Sequence, residues 1–326
     1  MPSTFSKPFN IVFLAALVTS ATYFLLQKSK KSSQGQLINM SKLPSLTSIY
    51  LRAAASVVKT STLTKGTTSI PPITLNVDFI GPFDATHIES FKSQVNISKV
   101  HNDFLPSTYL QCVTMPMPME ILSRTDFNIL GSLHESCKVK SFRSVSASEK
   151  LSASATLIPE IELSDKNDIL LRIILTINDK NNEAVQTIEN QFRILNPKRH
   201  KMKLSKVKPE TPNYEEWERF DFSYPTTAGR SYASLNGDIN PIHVSPLAAK
   251  VFGYKSCIAH GMFSVCNMFS LDTDTGKNEM MGEFVRPIVL PRDVVGLRYG
   301  EEYAVGFYNC QGEYKVCVRG FIKHDS

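Results

Sequence analysis

The stretch Gly237-Asp238-Ile239-Asn240-Pro241-Ile242-His243, with Tyr232 to Leu235 before it and Ile258-Ala259-His260-Gly261-Met262 after it, is the part of the chain from which the rest can be read. A carboxylate and an imidazole stand five residues apart, with a glycine before the acid and a proline between the two. Gly237 permits positive φ, Pro241 lacks a backbone donor, and the proline pushes Asn240 toward extended geometry. This composition opposes a regular helix or a central strand and predicts a tight, stiff loop. Such a loop holds an acid and a base at fixed separation, so that Asp238 and His243 can share one water molecule. Both side chains exchange protons near neutral pH, which suits proton transfer at a carbon next to a carbonyl. The other reading open at this point is an Asx-turn with a surface histidine, because Asp, Asn, Gly and Pro are the usual turn residues.

The sequel to the loop narrows the choice. Ser245 can cap a short helix over Leu247–Phe252, Pro246 fits its first turn, and Gly253 can end it. Ile258 to Met262 then opens an apolar run, Met262–Leu271, that reads as a buried helix. Gly261 at its start presents a backbone N–H backed by the positive end of the helix dipole, a donor suited to a carbonyl oxygen that gains charge. Acid, base and oxyanion donor thus fall within about thirty residues.

Tyr232 and Leu235, then Gly237-Asp238-x-Asn240-Pro241-Ile242-His243, Ala248, and Ala259-His260-Gly261-Met262 resemble the hydratase motif of the MaoC-like family. That family includes R-specific enoyl-thioester hydratases and 3-hydroxyacyl-thioester dehydratases. The resemblance implies an α+β hot-dog fold, a curved antiparallel sheet wrapped around a central helix. It also implies roles: Asp238 and His243 bind and activate water, Gly261 N–H holds the thioester carbonyl, and Asn240 braces the loop or contacts the same water. Tyr232 and His260 fall on motif positions as substrate-binding or loop-bracing residues. Many members carry Asp or Glu two residues after the histidine; Ser245 stands there in this chain and reads as a helix cap. Leu105-Pro106-x-Thr108-Tyr109, Pro116 to Met119, and Phe127 with Gly131 and His134 resemble the first half of a double-hot-dog subgroup. In that subgroup the first half lacks the Asp/His motif, and nothing like it occurs here before residue 200. The resemblance covers residues 43–326. It implies a tandem hot dog, no metal and no redox cofactor, and a coenzyme A or acyl carrier protein thioester as substrate.

Composition bounds the rest. The 42% apolar fraction supports packed cores. The six cysteines form no C-x-x-C pair and no metal-ligand spacing, which fits reduced thiols in a reducing compartment. Residues 1–77 contain no acid but seven lysines and Arg52, giving +8; the remainder has 28 basic and 30 acidic residues, giving −2, so the net +6 belongs to the leader. No basic patch interleaved with aromatics marks the body as a nucleic-acid binder. Residues 9–26 form an uncharged, mostly apolar run followed by Lys28, Lys30 and Lys31. That pattern predicts a membrane anchor with the body on the cytosolic side. A mitochondrial import signal is the alternative, since the leader lacks acid and is rich in Ser and Thr; a cleaved secretory signal fits less well.

Three segments follow: 1–42, an apolar anchor and polar linker; 43–205, a first half without the motif; 206–326, a second half with it. Lys42–Lys59 has helical spacing and lies on a membrane surface or packs on the first half. Strands are expected over Ile73–Ile80, Gly131–Val139, Leu151–Ile161, Ile169–Asp179 and Glu183–Leu195, after a helix near Asp84–Val95. Lysines clustered in Pro197–Pro212 contact coenzyme A phosphates or an acidic carrier, or form a solvated linker. A strand at Phe220–Tyr224 precedes the loop. Beyond a polar, exposed Thr273–Asn278, strands over Gly282–Val289, Asp293–Tyr299, Ala304–Cys310 and Tyr314–Ile322 close the fold. His134 lines an acyl pocket or is structural; Met115 to Met119 wall an acyl tunnel or pack the core; Arg286 and Arg292 are candidates for the nucleotide end of a ligand.

The function these readings imply is reversible dehydration of (3R)-hydroxyacyl thioesters to trans-2-enoyl thioesters in fatty acid metabolism. A non-catalytic thioester-binding or scaffold protein is the second reading. A hot-dog thioesterase is the third, and it lacks a carboxylate on the central helix before Asp272. A fused pair of hot dogs can act as a monomer, and a homodimer is also compatible.

Overall fold

Buried residues alternate along β-strands such as Leu151–Leu157 and Ile169–Asn178, and the strands join in one sheet. The structure, a computed structural model, describes residues 35–56, 69–81, 83–97, 104–129, 132–160, 162–163, 168–195, 214–271 and 276–324. The first part contains β1 (Gln36–Met40), α1 (Leu46–Ala55), β2 (Ile73–Ile80), α2 (Ala85–Gln94), α3 (Tyr109–Thr114) and α4 (Pro116–Arg124). It continues with β3 (Leu133–Phe142), β4 (Leu151–Leu157), β5 (Glu162–Leu163), β6 (Ile169–Asn178) and β7 (Ala184–Ile194). The second part contains β8 (Glu218–Tyr224), α5 (Ala228–Asn236), α6 (Pro241–Val244), α7 (Pro246–Val251) and α8 (Gly261–Phe269), then β9 (Lys277–Phe284), β10 (Arg292–Tyr299), β11 (Glu302–Tyr308) and β12 (Tyr314–His324).

The strand order is β1-β2-β4-β6-β7-β3-β9-β12-β11-β10-β8, with β5 beside β6. Apart from β1, α1 and the two-residue β5, both parts follow one plan: a strand, then helices, then four strands, with the first strand after the helices at the centre of the sheet. In the first part the order runs β2-β4-β6-β7-β3, and in the second β8-β10-β11-β12-β9. The two plans meet where β3 and β9 pair antiparallel, from Ser136 with Glu283 to Phe142 with Lys277. Helix α8 packs across β9 and β12, and Met262 to Phe269 are all buried on it. Helices α3 and α4 occupy the corresponding place in the first part, with Tyr109, Cys112, Met117 and Ile121 each at most 1% exposed.

The structure corrects three expectations. Gln36–Met40, expected as polar linker, is an edge strand paired parallel with β2, and Asn76 donates to Asn39 Oδ1 across it at 3.0 Å. Asn278, expected exposed, lies in β9 at 1% exposure and donates to Ser107 Oγ at 2.8 Å. Ala228–Asn236 forms a helix not foreseen. Helix α1 packs on α4, which is the second of the two readings its spacing left open, with Ile49 and Ala53 to Ala55 buried. All six cysteines are free, and Cys310 alone is exposed. Among the described residues no helix is long and apolar enough to cross a membrane. Residues 9–26 and the basic linker 197–212 lie outside the described residues.

Candidate active site

The loop after α5 is built from side chains that each hold the next peptide. Helix α5 ends at Gly237, whose φ of 73° is a left-handed conformation that favours glycine. Asp238 N–H then donates to Asn236 Oδ1 at 2.8 Å, and Asn240 N–H donates to Asp238 Oδ1 at 3.1 Å. Asn240 caps the single turn α6 by accepting from Ile242 N–H at 3.4 Å. These Asx-type bonds stiffen the segment. Ser245 Oγ caps α7 through Ala248 N–H at 3.3 Å, so the serine does the work of a helix start.

His243 sits in that single turn at 9% exposure. Its Nδ1–H donates to Ile258 carbonyl at 2.9 Å, and Ile258 N–H returns a bond to Ile242 carbonyl at 3.0 Å. A carbonyl can only accept, so Nδ1 carries the proton and the neutral ring keeps Nε2 as its base. His260, the residue before α8, donates from Nε2 to the Asp238 carbonyl at 3.0 Å and lies 3.6 Å from Asp238 Oδ2. The His243 and His260 rings stack with centroids 3.7 Å apart. Burial pushes the His243 imidazole below its usual value, and the Asp238 carboxylate opposes that shift. Burial also pushes His260 well below the usual range, and the neighbouring His243 adds to the effect. Both rings are therefore neutral at pH 7.

Asp238, His243 and His260 hold ligand-capable atoms all within 4.8 Å of one another, a set of the kind that can bind a divalent ion. Hydrogen bonding gives the trio another use: the nitrogen that His260 turns toward Asp238 is a proton donor to the backbone and has no lone pair to offer there. Gly261 opens α8 directly after His260, which provides no side-chain cap. Its N–H stands at the positive end of the nine-residue helix, as the sequence predicts.

These groups border a cavity of about 220 Å³ between the two parts of the sheet. Asp238, Asn240, His243, His260 and Gly261 line one side. Ile49 and Ala53 of α1, Met119 of α4 with Met115 just before it, and Leu133 of β3 and Phe192 of β7 make the other side apolar. Within it, Gln111 Oε1, His134 Nε2 and His260 Nδ1 are buried with no partner in the protein. An apolar cleft with a few convergent polar atoms is the usual form of a small-molecule site.

Of the sequence candidates, Asp238, Asn240, His243, His260 and Gly261 come together at this cavity. Tyr232 does not line it: the ring is fully buried, its hydroxyl 3.7 Å from Cys266 Sγ and its centroid 5.3 Å from that of His260. His134 lines the cavity, stacked on Phe192 with centroids 4.7 Å apart. Burial lowers its pKa to about 4, with Asp238 opposing. Arg286 is at the cavity, whereas Arg292 covers the Phe307 ring at 4.4 Å and is not part of the lining. Met115 and Met119 line the cavity and Met117 is core. Sequence reasoning missed Tyr50, Gln111 and Gly229. A Cβ on Gly229 would lie 2.4 Å from the His243 carbonyl oxygen, so only glycine lets α5 approach the turn that carries the histidine.

Residues 203–289 match the family model described as MaoC like domain. A 3-hydroxyacyl-thioester dehydratase X of Mycobacterium tuberculosis is 25% identical over 253 residues, covering 74% of this chain and 84% of the relative. The crystal structure of HtdX from that organism superposes with a TM-score of 0.63 at 18% identity, covering 77% of this chain and 99% of the other. A MaoC-like dehydratase from Phytophthora capsici gives 0.57 at 18% identity, covering 79% and 96%. The fold is that of these hot-dog, MaoC-like proteins.

Proposed function

We propose, from the premise that residues 203–289 of this chain are a MaoC-like domain, that the protein is a hydro-lyase. It dehydrates 3-hydroxyacyl thioesters to 2-enoyl thioesters and runs the hydration in reverse. The observation that carries this reading is the tautomer of His243: Nδ1–H is committed to the Ile258 carbonyl, so Nε2 is left as the base of a residue that lines the cavity. In hydration, Asp238 and His243 hold a water between them, and His243 Nε2 takes one of its protons. The water oxygen bonds to C3, and the electron pair of the C2–C3 double bond shifts toward the thioester carbonyl as an enolate. Gly261 N–H stabilises that oxygen, and the proton returns to C2. No electron leaves the substrate, so the chemistry needs no redox cofactor.

The finer assignments belong to the same proposal. The two repeats of the sheet plan support a tandem hot dog divided near residues 43–205 and 206–326, with only the second half carrying acid and base. The family supports (3R) stereochemistry and a trans product. The apolar first-half wall supports an acyl chain lying against α1 and α4. Arg286 at the cavity supports a phosphate-bearing carrier, coenzyme A or an acyl carrier protein. Residues 9–26 support membrane attachment with a cytosolic body; the acid-free leader supports mitochondrial import as the second reading.

The test is a direct assay. The full chain is mixed with trans-2-enoyl-CoA substrates of several lengths, and then with enoyl acyl carrier protein, while the enoyl-thioester absorbance is followed. Absorbance is expected to fall, and Asp238→Asn and His243→Ala are each expected to lose roughly 10²–10⁴ in turnover. Free thiol release would replace the proposal with a thioesterase. No change on either carrier would replace it with a binding protein.

A further inference from the structure

Helix α1 lies outside the sheet plan that the two parts share, yet it reaches the catalytic loop. The Tyr50 hydroxyl donates to the Gly237 carbonyl at 3.0 Å and accepts from Ile239 N–H at 2.6 Å, the shorter of the two bonds that this N–H makes, the other being to the Gly237 carbonyl at 3.0 Å. These are the groups on either side of Asp238, and they come from residues 187 and 189 positions away in sequence. Leu46, one turn earlier, lies against Gly237, where a Cβ would meet its Cδ2 at 2.8 Å. The helix is itself anchored. Arg52 pairs with the fully buried Glu120 of α4 and donates to Ser123 Oγ at 3.0 Å. Arg124 holds the other oxygen of Glu120 at 2.7 Å. At the end of α1, Ser56 Oγ accepts from Ile129 N–H at 3.1 Å.

We propose that Tyr50 is a positioning residue for this reaction: by gripping the peptide groups on both sides of Asp238, it fixes the direction of that carboxylate toward the water shared with His243. The inference rests on the dehydratase reading given above. The bonds internal to the loop constrain its shape, but none of them ties it to the first part of the sheet. Tyr50 supplies that tie and borders the cavity as well. Burial raises its pKa well above the usual phenol value, so the hydroxyl keeps the proton it donates to Gly237.

The experiment uses the full chain and Tyr50→Phe, which keeps the ring and removes the hydroxyl, and reads two quantities. Hydrogen exchange at the Ile239 amide is expected to quicken in Tyr50→Phe while exchange in the strands stays as in wild type. Turnover is expected to fall roughly 10–100-fold, the scale of a small misplacement at a catalytic group, with KM within about twofold. In an Asp238→Asn background, Tyr50→Phe is expected to cost little more, because Tyr50 acts through that carboxylate. Wild-type exchange at Ile239, or wild-type turnover, in Tyr50→Phe would overturn the inference. A full additional loss in the Asp238→Asn background would overturn it too, since the hydroxyl would then act elsewhere. A wild-type chain that hydrates no enoyl thioester, with Ile239 exchange still quickened in Tyr50→Phe, would overturn the dehydratase reading and leave the grip on the loop standing.

Discussion

At the scale of the residue, three histidines meet one low-dielectric cavity. His134, His243 and His260 all have imidazoles whose charged form is disfavoured by burial. A histidine depressed in the folded state takes its proton earlier in the unfolded chain. Below the ordinary imidazole value of about 6.5, the unfolded state therefore binds more protons, and stability drops as pH falls. For His134 the drop continues to about pH 4. For His134 the expected slope across that window is roughly 1.4 kcal/mol per pH unit. Urea unfolding measured between these limits checks this, and His134→Leu should have a shallower slope than wild type. Equal slopes would show that His134 protonates freely in the fold. The acidic limb of turnover should likewise lie below the ordinary imidazole range, because His243 acts as base only while neutral. Asp238 and His243 were legible in sequence because their relation is local, five residues within one loop. Tyr50 was not, because nothing in the composition of α1 announces a partner 187 residues away.

At the scale of the element, the strands were easiest to read. In β4 and β6, buried residues alternate through almost the whole length, and periodicity alone finds them. Helix α5 was hidden because Gly229, Ser231 and Ser234 are modest helix formers; it persists because Ala228, Tyr232, Ala233 and Asn236 are buried. Strand β1 was hidden because five residues at an edge carry little pattern. The α5–α6 contact leads to a further expectation. Gly229→Ala places a methyl 2.4 Å from the His243 carbonyl, so the turn must move. Turnover should fall roughly 10–100-fold, with a loss of about 1–3 kcal/mol in stability from overpacking. Gly253→Ala is the control: it strains a left-handed residue that has no atom within 4 Å of the new methyl. It should cost stability and leave turnover unchanged. Equal turnover losses in both variants would mean that backbone strain, and not the approach to His243, is what matters.

At the scale of the molecule, the sheet runs unbroken across both parts through β3 and β9. Cutting the chain after residue 205 should expose both of these strands as unpaired edges, which recruit other chains. Residues 206–326 alone should self-associate in size-exclusion chromatography and fail to turn over substrate, lacking Tyr50 and the apolar wall. Co-expression with residues 1–205 should restore both a defined species and activity. A monomeric, active 206–326 fragment would mean that the first half is dispensable. The asymmetry between halves was legible as one motif found once; the cavity between them was not, because its walls come from segments far apart in sequence. The β3–β9 seam also has a consequence for inheritance. In a pair of identical subunits every substitution is copied to both sides of the seam. Here each side mutates on its own, so the first part can change its apolar wall repeatedly while the loop that carries Asp238 and His243 stays as it is.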